Sequence, residues 1–168
     1  MLVKVFSASV QGLSAIPVTI EVNSSRGIKF FLVGLPDNAV KESHERIVAA
    51  VENSGYRFPT KQLVVNMAPA DIRKEGAGYD LPLAIGILAT EEKVKLDNLE
   101  RTMMIGELSL DGTLQPVKGA LPIAIKAREM GFENLIVPEQ NVREAAVVNQ
   151  LKVFGAKHMN QVVQFLNG

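Results

Sequence analysis

The amino-acid sequence predicts an α+β fold: a mixed sheet with helices mainly on one face. Three observations carry that expectation. The first third reads as a small antiparallel sheet, with period-two alternation over Ile16 to Asn23, the mark of a half-buried strand. A helical stripe follows, Val40, Ile47, Val48 and Val51. The second half then alternates short apolar strands with helical stretches, which favours some parallel pairing.

In order, Leu2 to Val10 reads as a strand, and Ile16, Val18, Ile20 and Val22 alternate with Pro17, Thr19, Glu21 and Asn23 in the next. Ser25-Arg26-Gly27 is a turn, and Ile28 to Val33 is expected to return beside its predecessor in a small antiparallel sheet. Asp37 is placed to cap the first helix, Gly55 to stop it, and Lys41–Glu45 and Glu42–Arg46 are i,i+4 pairs on its surface. Leu63-Val64-Val65 is strand-like and leads into a loop, Asp71 to Asp80, dense in charge and glycine; the apolar run Leu81 to Thr90 then forms a helix.

Thr102 to Leu110 reads as one strand, returning through an Asp111-Gly112 hairpin to Leu114–Val117. Gly119 to Met130 is a helix with Ile123, Ala124, Ala127 and Met130 inward; Leu135-Ile136-Val137 is a buried strand. Asn141 with Glu144 resembles a capping box opening Val142 to Val148. Leu151 to Phe154 is a last strand, and Gln161 to Leu166 a last short helix. The whole reads as one domain over residues 1–168, with no repeat or linker inside it.

Composition narrows the function classes. Lys plus Arg and Asp plus Glu number 18 each, so no global basic field draws the chain to nucleic acid, although a local patch stays open. With no cysteine, disulfides, thiolate nucleophiles and thiolate-held metals are excluded, which fits a reducing cytoplasm. Met1 to Val10 lacks the long apolar core of a signal peptide. The run Leu81 to Ala89 is about half the roughly 20 residues that span a bilayer. The expectation is a cytoplasmic protein with no membrane partner.

The Asp71–Asp80 loop is the one candidate site. Gly76 and Gly78 permit a sharp turn, and the strand–loop–helix order resembles an active site or an anion site. No Walker-type phosphate loop is present, and Gly76-Ala77-Gly78 lacks the third glycine of a dinucleotide loop. His44 and His158 stand alone, without ligand spacing. Glu75, Asp80 and Glu107 form an oxygen set for Mg²⁺ only if the fold gathers them, and nothing in their spacing requires a metal. Asp80 reads either as the cap of the following helix or as a structural loop residue alongside Gly76 and Gly78. Arg73 and Lys74 read either as solvated charges or as contacts to DNA phosphate or a neighbouring subunit, with Lys4, Arg26, Lys29 and Lys118 as extensions of such a patch.

Three runs carry a family resemblance: VGLPDNAVKESHERI (residues 33–47), VNMAPADIRKEGAGYDLPLAIGILA (65–89) and GELSLDGTLQPVKGALPIAIKAREMGFENLIVPEQNVREAAVV (106–148). They resemble the N-terminal domain of the YifB/ComM-type, Mg-chelatase-like (ChlI-type) AAA+ ATPases, over essentially the whole chain. The resemblance implies the fold shared by the second domain of ribosomal protein small-subunit five and by the Lon protease domain. It also implies an AAA+ module downstream, which would use ATP and Mg²⁺, and a homo-oligomeric ring, a hexamer.

Lon-type proteases use a Ser nucleophile and a Lys base, which must be held neutral to take the Ser proton. Against their D-G-P-S-A-G type loop, Glu75-Gly76-Ala77-Gly78-Tyr79-Asp80 places Gly78 at the Ser position. Against their P-x-G-G-x run, Pro116-Val117-Lys118-Gly119-Ala120 places Leu121 at the Lys position. The resemblance therefore implies no catalytic residue and no cofactor in this domain. It implies an accessory domain acting on DNA in recombination or natural transformation, through Arg73, Lys74 and Lys118 or through ring organisation. The other readings are a subunit domain of a Mg-chelatase-type ATPase, a degenerate Lon-like module binding a partner unrelated to DNA, and, by fold analogy, an RNA- or ribosome-binding module.

Overall fold

The computed structural model describes residues 1–168. The long antiparallel pair β1 (Leu2–Gln11) and β2 (Ser14–Ser25) is central, in register from Leu2↔Asn23 to Gln11↔Ser14. Alternation on β2 comes out as read, with Val18, Ile20 and Val22 buried. β3 (Phe30–Val33) departs from the expected hairpin. It pairs in parallel with β4 (Gln62–Ala68), which inserts between β2 and β3 and runs antiparallel to β2. Two helices fill the β3–β4 crossover, α1 (Asn38–Lys41) and α2 (Ser43–Asn53). A crossover of that length permits parallel pairing, whereas a tight turn does not.

β4 leads through the Asp71–Asp80 loop into α3 (Asp80–Thr90), every residue of which is buried. A helix apolar on all sides belongs in a core. A Cβ on Gly86 would stand 2.8 Å from Val22 Cγ2 and 3.1 Å from Val5 Cγ2, so the missing side chain sets how closely α3 lies on the sheet. The short α4 (Leu96–Leu99) precedes β5 (Thr102–Met104), which pairs in parallel with β1 at Phe6↔Met103.

The expected strand Thr102–Leu110 is broken. At Ile105-Gly106 the chain leaves the main sheet and forms a separate hairpin, β6 (Glu107–Leu108) with β7 (Leu114–Gln115). Gly112 supplies the positive φ of its turn at +89°, while the Asp111 carboxylate accepts the Thr113 N–H at 2.9 Å. α5 (Ala120–Glu129) crosses to β8 (Asn134–Pro138). The single turn α6 (Val142–Ala145) leads to β9 (Lys152–Ala156), and α7 (Met159–Asn167) closes the chain. The seven-stranded mixed sheet has the order β3-β4-β2-β1-β5-β8-β9.

Two cores lie on its two faces. The larger joins Val3, Val5, Ile20 and Val65 to α2, α3 and α7; the smaller joins Ala8, Met103, Leu135 and Val137 to α5 and α6. Most helices share one face, as expected, and α5 and α6 cover part of the other. Met130, expected inward, is 47% exposed at the end of α5. The Asn141 capping box is not made either. Its Oδ1 accepts the Val117 N–H at 3.0 Å, its Nδ2 donates to the Val117 carbonyl at 2.8 Å, and the helix after it stops at Ala145. No helix is long and apolar enough to cross a membrane.

Candidate functional site

The Asp71–Asp80 loop forms one wall of a cleft of about 630 Å³. Ala8 to Gln11 at the end of β1, Ile105, Glu107 and the Pro116–Lys118 segment complete it. The loop is fixed by backbone bonds on both sides. Lys74 N–H donates to the Leu35 carbonyl and Asp37 N–H to the Lys74 carbonyl, each at 2.9 Å. Asp37 has two uses: Oδ1 caps α1 by accepting the Val40 N–H at 2.8 Å, as expected, and Oδ2 accepts the Gly76 N–H at 3.0 Å. Gly76 sits at φ +84°, the left-handed conformation the turn requires. Gly106, where the chain leaves the sheet, donates to the Gly78 carbonyl at 2.8 Å and accepts from Leu81 N–H at 2.9 Å.

Those bonds correct the anion-site expectation. The N–H of Asp80 donates to the Ala77 carbonyl at 3.1 Å, that of Leu81 to Gly106, and that of Leu83 to the Tyr79 carbonyl at 3.0 Å. Pro82 has no N–H to give. The first turn of α3 thus has its donors satisfied internally, and the cleft beside it carries Asp37, Glu75 and Glu107 against the single cation Lys118.

Asp80 does not cap α3; Tyr79 takes the cap position without a side-chain bond. The Asp80 carboxylate is fully buried and does not line the cleft. Arg46 of α2 grips it with two bonds, Nε to Oδ2 at 2.7 Å and Nη2 to Oδ1 at 3.0 Å, and Leu108 N–H adds a third at 3.1 Å. Burial pushes the Asp80 carboxyl above its usual value, with Arg46 and the Leu108 N–H opposing. Asp80 therefore joins loop, α2 and β6 and cannot share a metal with Glu75 and Glu107. No group of three or more His, Cys, Asp or Glu is placed to hold an ion.

Lys74, read as a solvated charge or a contact, is withdrawn from the surface. Its side chain is fully buried and Nζ donates to the Pro69 carbonyl beneath the loop. Burial lowers its pKa, with Asp71 opposing. Arg73 is exposed and lies 3.6 Å from the Glu75 carboxylate. Lys118 is exposed at the cleft mouth, apart from Arg73's surface in the lining of the site. Of the suggested extensions, Arg26 and Lys29 lie near one another at the β2–β3 turn, whereas Lys4 lines a separate hollow beside Leu96 and Leu99. Neither histidine faces the cleft. His44 stacks on Phe30, with ring centroids 4.3 Å apart, and His158 caps α7, its Nδ1 accepting the Asn160 N–H at 3.1 Å.

At the position matched to a Lon nucleophile, Gly78 has no side chain. A Cβ there would press on Ile105 Cγ1 at 3.1 Å, so even a small side chain would crowd the wall. Leu121, matched to the Lon base, is half-buried against the smaller core and does not line the cleft. Burial pushes the phenol of Tyr79 up, so it stays protonated well above neutral pH.

The mixed seven-stranded sheet with its helices, together with the likeness to Lon proteases given below, makes this a Lon-like α+β domain. The chain belongs to the Mg-chelatase-like family: residues 20–141 match the family model described as subunit ChlI of Mg-chelatase. It is 43% identical to YifB of Salmonella typhimurium over 158 residues, 94% of this chain and 31% of that protein. Against the competence protein ComM of Haemophilus influenzae it is 42% identical over 165 residues, 98% of this chain and 32% of the relative. A weaker likeness, 27% over 111 residues, joins it to Lon protease 2 of Bacillus subtilis, covering 66% of this chain and 19% of the protease. The chain thus spans about a third of the length of YifB and ComM.

Proposed function

We propose that this chain is a non-catalytic accessory domain of a ring-forming AAA+ ATPase that acts on DNA in recombination or natural transformation, and that its cleft-side loop organises the ring. The observation that carries this reading is the loop itself. It matches the Lon nucleophile loop in sequence and walls a cleft, yet Gly78 and Leu121 occupy the reactive positions and the first-turn donors of α3 are satisfied within the domain. Acyl transfer by a Ser–Lys pair needs a nucleophile and a desolvated base within hydrogen-bond reach. The one lysine on the cleft, Lys118, is exposed, and the buried Lys74 is bonded to Pro69 outside the cleft.

DNA grip by the loop is the less supported version. Lys74 is withdrawn, Arg73 is offset by Glu75, and three carboxylates line the cleft behind them. ATP and Mg²⁺ belong, in this reading, to a separate AAA+ module of a hexameric cytoplasmic protein. The test compares the complete gene product with a form lacking residues 1–168, by native mass spectrometry and ATP hydrolysis. Loss of the ring with ATP binding retained is expected. A truncated product that assembles an unaltered, fully active ring would overturn the proposal.

A further inference from the structure

Although the net charge is zero, the surface charge is not evenly spread. A groove of about 790 Å³ opens between β3, α2 and the segment before β4, and shares no lining residue with the acidic cleft. Lys29, Lys41 and Lys61 line it, with Glu45 its only carboxylate. Glu45 lies 3.4 Å from His44. Lys61 shares Glu91 at 3.3 Å, while Lys29 and Lys41 make no ion pair. At Thr60 and Lys61 the groove runs into a second hollow of about 680 Å³, which adds Arg26, also unpaired. Four cations and one carboxylate thus follow a single track, against one cation and three carboxylates in the cleft.

The floor of the track is apolar and rigid. Phe30 and Phe58 pack on the main core, and the His44 ring is held between them, stacked on Phe30 at 4.3 Å and edge-on to Phe58 at 5.8 Å. Ile28, 90% exposed, stands at the rim where the two hollows meet. Spaced cations over an apolar floor suit a ligand with alternating phosphates and flat bases. A concave track of this kind admits one strand more readily than a duplex.

We infer that this track, and not the Asp71–Asp80 loop, is a binding surface for single-stranded nucleic acid, with Lys29, Lys41, Lys61 and Arg26 on the phosphates. The inference rests on the reading that the parent protein acts on DNA. Each phosphate neutralised on a single strand contributes about 0.7 to the slope of log affinity against log salt. Removing three lysines should lower that slope by about 2 and the affinity at low salt by tenfold or more.

The experiment measures fluorescence anisotropy of a labelled oligo-dT with the 168-residue chain across a salt series. Variants are Lys29→Ala/Lys41→Ala/Lys61→Ala and, as a control, Arg73→Ala/Lys118→Ala; thermal melts confirm that both fold. Expected are weakened binding with the reduced slope in the triple variant, near wild-type binding in the control, and weaker binding of a duplex of equal length. A triple variant that keeps the wild-type slope, or a control that loses binding instead, overturns the assignment of the surface and leaves a DNA role standing. Absence of any binding at low salt overturns the inference and leaves the ring-assembly proposal intact.

Discussion

Replacing Arg46 by Met tests the contact that ties the candidate loop to the rest of the domain. Asp80 is fully buried and receives three hydrogen bonds, two of them from Arg46. After the substitution only the Leu108 N–H remains on a buried carboxylate. Breaking a buried pair on one side costs about 3–5 kcal/mol. The Arg46 side chain is 21% exposed, which places the expectation near the lower end, about 3 kcal/mol at neutral pH. For a domain of this size that is a fall in Tm of about 6–12 °C.

The loss should depend on pH, with a definite sign. Burial raises the Asp80 carboxyl above its unfolded value. Its contribution is therefore fully present below the unfolded pKa of about 3.9 and is lost as pH rises through the folded value. Without Arg46 the folded value climbs further and more stability is lost on the way to neutrality. Urea unfolding followed by circular dichroism, at points from about pH 4 to about pH 8, should show a small penalty in acid that grows with pH. Arg46→Met/Asp80→Leu should recover much of it, because no lone charge stays buried. A penalty equal at both ends of the series, or below about 1 kcal/mol at neutral pH, would show that Arg46 does not compensate a buried Asp80 charge.

Gly86→Ala should destabilise by about 1–3 kcal/mol in chemical denaturation, although alanine favours a helix, because the new methyl meets Val22 at 2.8 Å and Val5 at 3.1 Å across the sheet. A gain in stability would show that α3 does not lie so close. Lys74→Met should change neutral-pH stability by less than about 1.5 kcal/mol, since the substitution takes away a buried amine with its one bond while the Pro69 carbonyl still accepts the Ile72 N–H at 3.4 Å. Burial lowers the Lys74 pKa, so its contribution is present above the unfolded value of about 10.4 and is lost as pH falls through the folded one. The wild type should accordingly gain stability on entering the alkaline range, and the variant should lack that gain.

Elements set by local pattern were legible in the sequence. Period two on β2, the apolar run of β4, the apolar stripe from Val40 to Val51 across α1 and α2, the Asp37 cap and the apolar helix α3 all follow from neighbours within a few residues. Pairing partners were not, since a strand's alternation says which face is buried and nothing about which strand lies beside it. The β3 edge was therefore assigned to β2, when the α1–α2 crossover carries it to a parallel place beside β4.

The same limit governs the site. The Gly-rich loop and its matched positions could be found in one dimension, but the partner of Asp80 lies 34 residues away. Arg46 carried one signal, its i,i+4 spacing to Glu42; that pair is a loose 3.8 Å, while the strong bonds go to Asp80. A lysine between Arg73 and Glu75 looks solvated in sequence, and only the fold shows the Pro69 carbonyl that lets Lys74 be buried. Asn141 was read as a cap because its spacing to Glu144 fits one, yet the amide does better on both backbone groups of Val117. Lys41 and Lys61 entered no patch from sequence, as nothing in their numbering sets them beside Lys29.

The proposal that this cleft lacks Ser–Lys protease chemistry rests on Gly78 and Leu121 at the matched positions. Incubation of the purified chain with unfolded casein tests this most directly, alongside the Lys118→Ala variant, which changes the only cationic side chain on the cleft. Casein should stay intact with both proteins. Cleavage by the wild type that disappears in the variant would contradict the proposal.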